Sequence, residues 1–356
     1  MNQKRGAGMD ADHGWGVMGW GSWTDLTRVR ERLAAGADPD HIDAGLWSRP
    51  LHFAADNGTG EVVAELAAHV SDVDALDAAR SALWVAVYER QTSAIAALLA
   101  AGADPWRPMM AGWSPGRLAL AGPDAALFAT TDTSTGDTAV GGPGARALSP
   151  AETELVARSA RLSAVLADLP IDGLSLAAVA GIDAREAIRR LQATPDDRLP
   201  TNADAADQAL DPQQIGEDVW ELALDHPDGT EPLVGVSDVL GGCIITQPWG
   251  YAANMPGVQR LLSAGTRCYG LYANPKSGNQ GSTCLDGTIT GWDLHPGGPA
   301  DAEDPADLVL ISFLHRLDAV GYACAYAGLQ LNDARPVTGP ADHWVRLPER
   351  DYWTEV

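Results

Sequence analysis

The heptapeptide Leu33-Ala34-Ala35-Gly36-Ala37-Asp38-Pro39 returns, residue for residue, as Leu99-Ala100-Ala101-Gly102-Ala103-Asp104-Pro105. The two copies lie 66 residues apart, and Leu66-Ala67-Ala68 stands midway between them at an offset of 33. Such a period is typical of stacked helix pairs, in which each unit is too small to bury its own apolar face. The sequence therefore predicts an array that offers a binding surface.

The residues between these copies make the prediction more specific. Arg49-Pro50-Leu51-His52-Phe53-Ala54-Ala55-Asp56-Asn57-Gly58 resembles the T-P-L-H-x-A-A-x-x-G opening of an ankyrin repeat, with Arg49 in place of the usual threonine. Degenerate copies begin at Ser81-Ala82-Leu83 and at Trp113-Ser114-Pro115. The resemblance covers residues 18–128 and implies an all-α ankyrin-repeat solenoid there. An ordinary helical bundle with a chance similarity is the alternative.

The resemblance also implies where a partner would bind. Ankyrin units carry variable side chains on their turns and first helices, supported by a rigid stack. The residues of this chain at those places, which we expect to contact another protein, are His41, Asp43, Trp47, Asp77, Arg80, Trp106 and Arg107.

Composition narrows the classes of partner and compartment. The net charge is −24, and between Pro195 and Leu240 twelve carboxylates face a single arginine, Arg198. This balance opposes contact with nucleic-acid phosphates and with anionic membranes, and it favours a basic protein partner. A solvated acidic surface without a specific partner is the alternative interpretation. No signal peptide and no run of 18 apolar residues is visible, so a cytoplasmic protein without membrane contact is expected.

The remaining sequence predicts further parts. They are an N-terminal tail (1–17), a flexible linker (129–148), a small helical segment (149–194), an acidic connector (195–231) and an α+β domain (232–356). Within the helical segment, Leu174 to Ala180 and Asp183 to Ala193 are predicted as short helices. This pair has a weak likeness to a DNA-binding helix-turn-helix, which the neighbouring carboxylates oppose. The fold class as a whole is multidomain, with an all-α solenoid first and the α+β domain last.

The region from Ser149 to the end is similar in plan to an uncharacterised actinobacterial family. The likeness lies in an arginine-bearing helix that ends at Leu191, in Val234-Gly235-Val236 and in a glycine-rich strand that ends at Trp249-Gly250. Leu262-Ser263-Ala264-Gly265-Thr266-Arg267 and Asp286-Gly287 complete it. The chain departs from the family where Cys243, and not tryptophan, follows Gly242. The resemblance implies no particular activity.

Motifs for catalysis or cofactor binding are weak. Gly14-Trp15-Gly16-Val17-Met18-Gly19 spells G-x-G-x-x-G but lacks the strand that must precede a dinucleotide site. The four cysteines contain no C-x-x-C pair, so buried, reduced thiols are expected and a zinc site is not. We expect no cofactor and no metal. A Cys–His nucleophile pair in the last domain is an alternative that the sequence leaves open.

One group of aromatic and polar residues suggests a pocket in the last domain. Trp249, Tyr251 and Asn254, with Trp292, combine rings and amides in the way that ligand and peptide sites do. Filling of the core by aromatic rings is the alternative. The predicted function is therefore a non-catalytic protein-interaction module that neutralises or scaffolds a basic partner, in an immunity-type role. The alternative function is a cytosolic enzyme or ligand-binding protein with its site in the α+β domain.

Overall fold

The structure of the chain is a computed structural model. It describes residues 14–42, 46–128, 145–167, 169, 173–208, 232–248, 250–274, 276 and 278–354. The chain divides into two compact units. The first comprises residues 1–153 and 300–310, and the second comprises residues 154–299 and 311–356.

The first unit is helical in its described part. A 3-10 helix, Trp20–Thr24, precedes the first α-helix, and a second one covers Met110–Gly112. The α-helices are α1 (Leu26–Ala34), α2 (Pro50–Asn57), α3 (Gly60–Ala67), α4 (Ala82–Tyr88), α5 (Thr92–Ala100), α6 (Pro115–Ala119) and α7 (Ala125–Phe128). Helix α8 (Pro150–Val165) begins in this unit and ends in the second.

Local chemistry explains where these helices begin and end. Side-chain oxygens of Asp25, Thr59, Ser81 and Ser114 accept hydrogen bonds from the free N–H groups at the starts of α1, α3, α4 and α6. Gly36 and Gly102 follow α1 and α5 with φ values of +92° and +91°. Only glycine adopts that conformation without strain, so both helices stop there.

Helices of the first unit pack in pairs. Helix α2 packs against α3 and α4 against α5, while α2 also contacts α4 and α3 contacts α5. Side chains at the centre of these contacts, such as Val62, Leu66, Leu83, Ile95 and Leu98, are fully buried. Each pair therefore completes the core of its neighbour.

The second unit is built on one eight-stranded antiparallel sheet. Its strands are β1 (Leu174–Ala180), β2 (Thr194–Pro195), β3 (Leu233–Val239), β4 (Gly242–Gln247), β5 (Arg267–Ala273), β6 (Gln280–Leu285), β7 (Thr288–Asp293) and β8 (His343–Arg346). Their order across the sheet is β2-β8-β3-β4-β1-β5-β6-β7. A β-bulge interrupts the pairing of β6 with the edge strand β7 between Thr283 and Cys284.

Helices and turns complete the second unit. They are α9 (Ala184–Leu191), α10 (Asn202–Gln208), a 3-10 helix (Ala252–Asn254), α11 (Pro256–Leu262), α12 (Ala306–Leu314, which begins in the first unit), α13 (Ala319–Ala327) and α14 (Arg335–Thr338). Helices α9 and α11 cover one face of the sheet, where Val179, Cys243 and Cys268 are buried. Helix α13 packs on the opposite face of β1 and β5. Since neighbouring residues of a strand point to opposite sides, these strands contribute side chains to both faces.

The predicted fold class is wrong. The chain is an α+β protein with an eight-stranded antiparallel sheet, and not an all-α ankyrin-repeat solenoid followed by a helical segment and a separate α+β domain. Residues 174–180, predicted as a helix, form β1 at the centre of that sheet. The residues from Leu174 to Val179 are all buried, since helices cover both faces. Such an unbroken apolar run cannot be told from a buried helix by its periodicity.

Tight turns join neighbouring strands in the last part of the chain. Gly241, with φ of +99°, lies in the turn between β3 and β4. Asp286 and Gly287, with φ of +47° and +74°, form a two-residue turn between β6 and β7. In the described part of the chain no helix is long and apolar enough to cross a membrane.

Candidate functional site

Hydrogen bonds link the loops of the first unit to one another. The Asp40 carboxylate accepts from the backbone N–H of Ser71 (2.9 Å), and the Asp74 carboxylate accepts from that of Asp104 (3.0 Å). These bonds join positions 31 and 30 residues apart, which is close to one period of the sequence. Arg107 Nη1 also donates to the Asp74 carbonyl (2.9 Å). Each loop is thus hydrogen-bonded to the next. The surface that loops 35–42, 46–49, 68–80 and 101–109 form, called the loop face, therefore has a fixed shape.

A tight turn at Asp77 makes the second set of links. Asp77 and Arg80 exchange two backbone hydrogen bonds of 2.8 and 2.9 Å. The Asp77 carboxylate accepts from Ser48 Oγ (2.6 Å) and from the Arg49 N–H (3.0 Å). His52 Nε2 lies 3.0 Å from the Arg80 carbonyl oxygen, so the neutral imidazole donates from Nε2. The segment before α2 is therefore anchored to the turn before α4.

Carboxylates outnumber arginines on the loop face, so its net charge is negative. Loops 35–42, 46–49, 68–80 and 101–109 contain six carboxylates against three arginines. Burial raises the pKa of Asp74, and the charges of Asp104 and Asp72 raise it further. Partial burial acts to raise the pKa of Asp77, but the hydrogen bonds from Ser48 and Arg49 outweigh it and the net shift is downward. A cation placed here would relieve the repulsion among the carboxylates.

We expect His52 to make stability depend on pH. Burial lowers its pKa below 6.5, and Nδ1 has no hydrogen-bond partner among the described residues, so protonation would bury an unpaired N–H. Because the folded pKa lies below the unfolded one, this stability is complete above about pH 6.5 and is lost as the pH falls through the folded pKa. Urea unfolding at pH 7.5, 6.5 and 5.5 measures it. The His52→Gln variant should show a shallower dependence, whereas His69→Gln, at an exposed position, should leave the slope as it is. A slope that His52→Gln does not change would contradict the assignment.

Trp47 is the most exposed large apolar side chain among the described residues of the loop face. Trp47 is 67% exposed, and its ring centroid lies 5.2 Å from that of Phe53. Phe53 in turn stacks on the buried Trp23 (5.5 Å), which stacks on the buried Trp15 (5.7 Å). Trp47 therefore ends a row of packed rings that extends into the core.

The partner residues predicted from the sequence lie in different surroundings. His41 and Trp47 are exposed on the loop face, while Asp43 lies outside the described residues. Three others take part in the hydrogen bonds between loops: Asp77, Arg80 and Arg107. Trp106 is half-buried, 6.5 Å from the Phe128 ring, and Arg146 stacks over it at 5.4 Å. Their role in partner binding stays a prediction.

Sequence reasoning missed the residues that hold the loops together. Asp40 and Asp74 stand 34 residues apart, and Asp104 follows 30 residues later. The spacing of these aspartates could have indicated the links, since it is close to the period of the helices. It was overlooked because aspartate is common in turns for a different reason, which is that its side chain forms hydrogen bonds with its own backbone.

The predicted pocket residues lie on the second unit. Asn254 is buried, and its Oδ1 lies within hydrogen-bond distance of Gln259 Nε2 (3.2 Å) and Ser282 Oγ (3.4 Å). Tyr251 is 47% exposed and its ring lies 4.3 Å from that of Tyr272. Trp292 is exposed on the edge strand β7, where it pairs with Ser282. Trp249 lies outside the described residues.

This aromatic group has neighbours that the sequence did not indicate. The exposed Trp353 ring lies 6.2 Å from that of Tyr251. The hydrogen bond with Tyr272 raises the pKa of Tyr251. The Tyr251 phenol thus stays neutral at physiological pH, and the group offers ring faces and hydroxyls.

The four cysteines are free and buried, as the sequence predicts. Burial raises the pKa of Cys243 to about 12 and also raises those of Cys268, Cys284 and Cys324. A nucleophilic cysteine needs the thiolate, which these surroundings disfavour. The arrangement therefore gives no support to a Cys–His nucleophile pair.

Comparison with known proteins adds no assignment. No protein-family model matches the sequence, and no curated protein is similar to it. The likeness to ankyrin repeats and to the actinobacterial family stays a prediction. Within the described residues no group of three or more His, Cys, Asp or Glu side chains could hold a metal ion.

Proposed function

We propose that this chain is a protein-binding protein that recognises a basic partner through the loop face of its first unit and acts without catalysing a reaction. The observation that carries the proposal is Trp47, a tryptophan left 67% exposed on loops that hydrogen bonds hold in place. Energetically dominant interface residues are enriched in tryptophan, and a fixed support lowers the entropy lost on binding.

Charge supports a basic partner. The loops around Trp47 contain more carboxylates than arginines, and the chain as a whole carries a net charge of −24. Such a field accelerates the approach of a positive surface and disfavours phosphate-rich partners. Neutralising a basic protein in the cytoplasm, as an immunity protein does, is one form of this function.

The test is capture of a partner by the full-length protein from a lysate of its native host at low salt. We expect a basic protein to be retained by the wild type and released as the salt concentration rises. We expect the Trp47→Ala variant to bind it about 30-fold more weakly, because removing a dominant interface side chain costs about 2 kcal/mol or more. Titration calorimetry with the purified partner measures the change.

Trp353→Ala is the matched control, since that tryptophan is 53% exposed on the second unit. It should leave the affinity unchanged. If Trp353→Ala weakens the complex and Trp47→Ala does not, the binding surface lies on the second unit and the proposal is wrong. Retention of no partner, or of acidic proteins only, would also reject it.

A further inference from the structure

A cavity of about 380 Å³ opens at the side of the sheet where the two-residue strand β2 joins β8. It lies within the second unit. Residues of α9, of the segment 195–204 and of β8 form its wall. They are Ile188, Pro195, Asp196, Asp197, Leu199, Thr201, Asp204, His343, Trp344 and Val345. Its size is at the lower end of the range for small-molecule sites.

A buried ionic cluster fixes one wall of this cavity. The side chain of Asp196 is only 4% exposed and accepts hydrogen bonds from Arg346 Nε (2.6 Å) and from Arg198 Nη2 (2.6 Å). The backbone N–H of Asp196 donates to the Trp344 carbonyl (2.9 Å). Two guanidinium groups that do not line the cavity therefore more than offset the charge of Asp196, and they hold the wall in one conformation.

Apolar groups form the second part of the wall. Leu199 and Trp344 belong to a buried cluster with Leu233 and Ala341. Ile188 and Val345 pack against the main core of the unit. A flexible chain entering the cavity would therefore meet apolar surface that is already ordered.

Two further carboxylates give the cavity its negative charge. Asp197 is exposed, and its side chain makes no hydrogen bond or ion pair with the described residues. Asp204 accepts from the Thr201 N–H (2.9 Å) and Oγ (2.7 Å), and both bonds end on Oδ2, so Oδ1 is left to accept from a ligand. No lysine or arginine is among the lining residues to compete with a bound cation.

We propose that this cavity binds a small organic cation in which an ammonium or guanidinium group is joined to a short aliphatic chain. The charged head donates hydrogen bonds to Asp197 and Asp204, and the aliphatic part lies against Ile188, Val345 and Trp344. Charged hydrogen bonds fix the orientation of the ligand, while burial of its methylene groups supplies affinity that a bare cation lacks. This site is independent of the protein-binding proposal.

The experiment is calorimetric titration of the full chain with n-butylguanidinium and with guanidinium at physiological salt concentration. We expect saturable binding of one n-butylguanidinium per chain. Guanidinium should bind about tenfold or more weakly, since it lacks the aliphatic chain whose burial adds affinity. The equal charge of the two probes separates this cavity from diffuse attraction to an acidic protein.

Variants locate the site. Asp197→Asn disturbs no hydrogen bond of the described residues, and together with Asp204→Asn it should weaken n-butylguanidinium binding about tenfold or more, as expected for the loss of charged hydrogen bonds. Asp207→Asn removes the same charge from an exposed position on α10 outside the cavity and should leave binding unchanged. Equal affinity for the two probes, or an equal loss in Asp207→Asn, would overturn the proposal. So would n-butylguanidinium binding that Asp197→Asn alone and the double variant leave unchanged.

Discussion

Replacing Gly242 by alanine should destabilise the second unit by about 3 kcal/mol or more, which is at the upper end for overpacked sites. Gly242 begins β4 and pairs with Ala180 of β1 on one side and Val239 of β3 on the other. A Cβ atom at this position would lie 2.0 Å from the Val179 carbonyl oxygen and 3.0 Å from Leu329 Cδ2. The carbonyl belongs to a central strand and cannot yield as a flexible side chain would, so the strands must separate.

Thermal unfolding followed by circular dichroism measures this effect, and we expect the midpoint to fall by about 6 to 12 °C. Gly21→Ala is the matched control, because no atom lies within 4 Å of a Cβ placed there. It should change stability by less than about 0.5 kcal/mol. A Gly242→Ala variant that melts with the wild type would show that β4 does not pair with β1 in the register described.

Replacing Glu152 by alanine should cost about 4 kcal/mol, because it removes the carboxylate that forms an ion pair with a buried arginine. The Arg117 side chain is 4% exposed, forms a salt bridge with Glu152 and stacks over the Trp113 ring at 4.2 Å. Glu152 also accepts from the Ser149 N–H (2.7 Å), which caps the start of α8. The same substitution therefore removes an ion pair and a helix cap.

An exposed ion pair that includes a residue of the same helix provides the control. Glu154 pairs with Arg161 at 3.1 Å, and both side chains are about 60% exposed, so Glu154→Ala should change the free energy of unfolding by less than about 0.5 kcal/mol. The double variant Arg117→Met, Glu152→Ala removes both charges and should regain much of the loss. Urea titrations of the three variants measure these changes. Equal stability of Glu152→Ala and Glu154→Ala would contradict the burial of Arg117.

Local sequence signals predicted the helix from Asp183 to Ala193, which the structure shows as α9, but failed for the fold class. The start of that helix depends on neighbours only, since the Asp183 side chain accepts a hydrogen bond from the Glu186 N–H, so its consequence is visible in the sequence. The sheet depends on pairing between distant segments, such as β1 with β4 and β5, and no local pattern encodes that pairing. Ala177 and Ala178 favour a helix by propensity, yet tertiary burial makes them part of a strand.

Prediction of the candidate sites was limited in a similar way. The sequence singled out Trp47 and Tyr251, since large aromatic residues in loops are conspicuous, and both are exposed. The cavity at β8 was missed because Ile188, Asp204 and His343 come from segments far apart in the chain. The pairing of β2 with β8 and the hydrogen bond from Trp344 Nε1 to the Pro200 carbonyl bring two of those segments together.

The two edges of the sheet bear on how this protein behaves when it is concentrated. An open strand edge can recruit a strand from another molecule, and this is a common start of aggregation. Here one outer strand, β2, has two residues and ends in Pro195, which has no N–H to donate. The other, β7, carries a bulge that breaks the regular spacing of its hydrogen-bonding groups. Neither edge is a suitable template for a ninth strand, so the sheet resists growth into intermolecular fibrils even where exposed apolar residues such as Trp292 lie beside it.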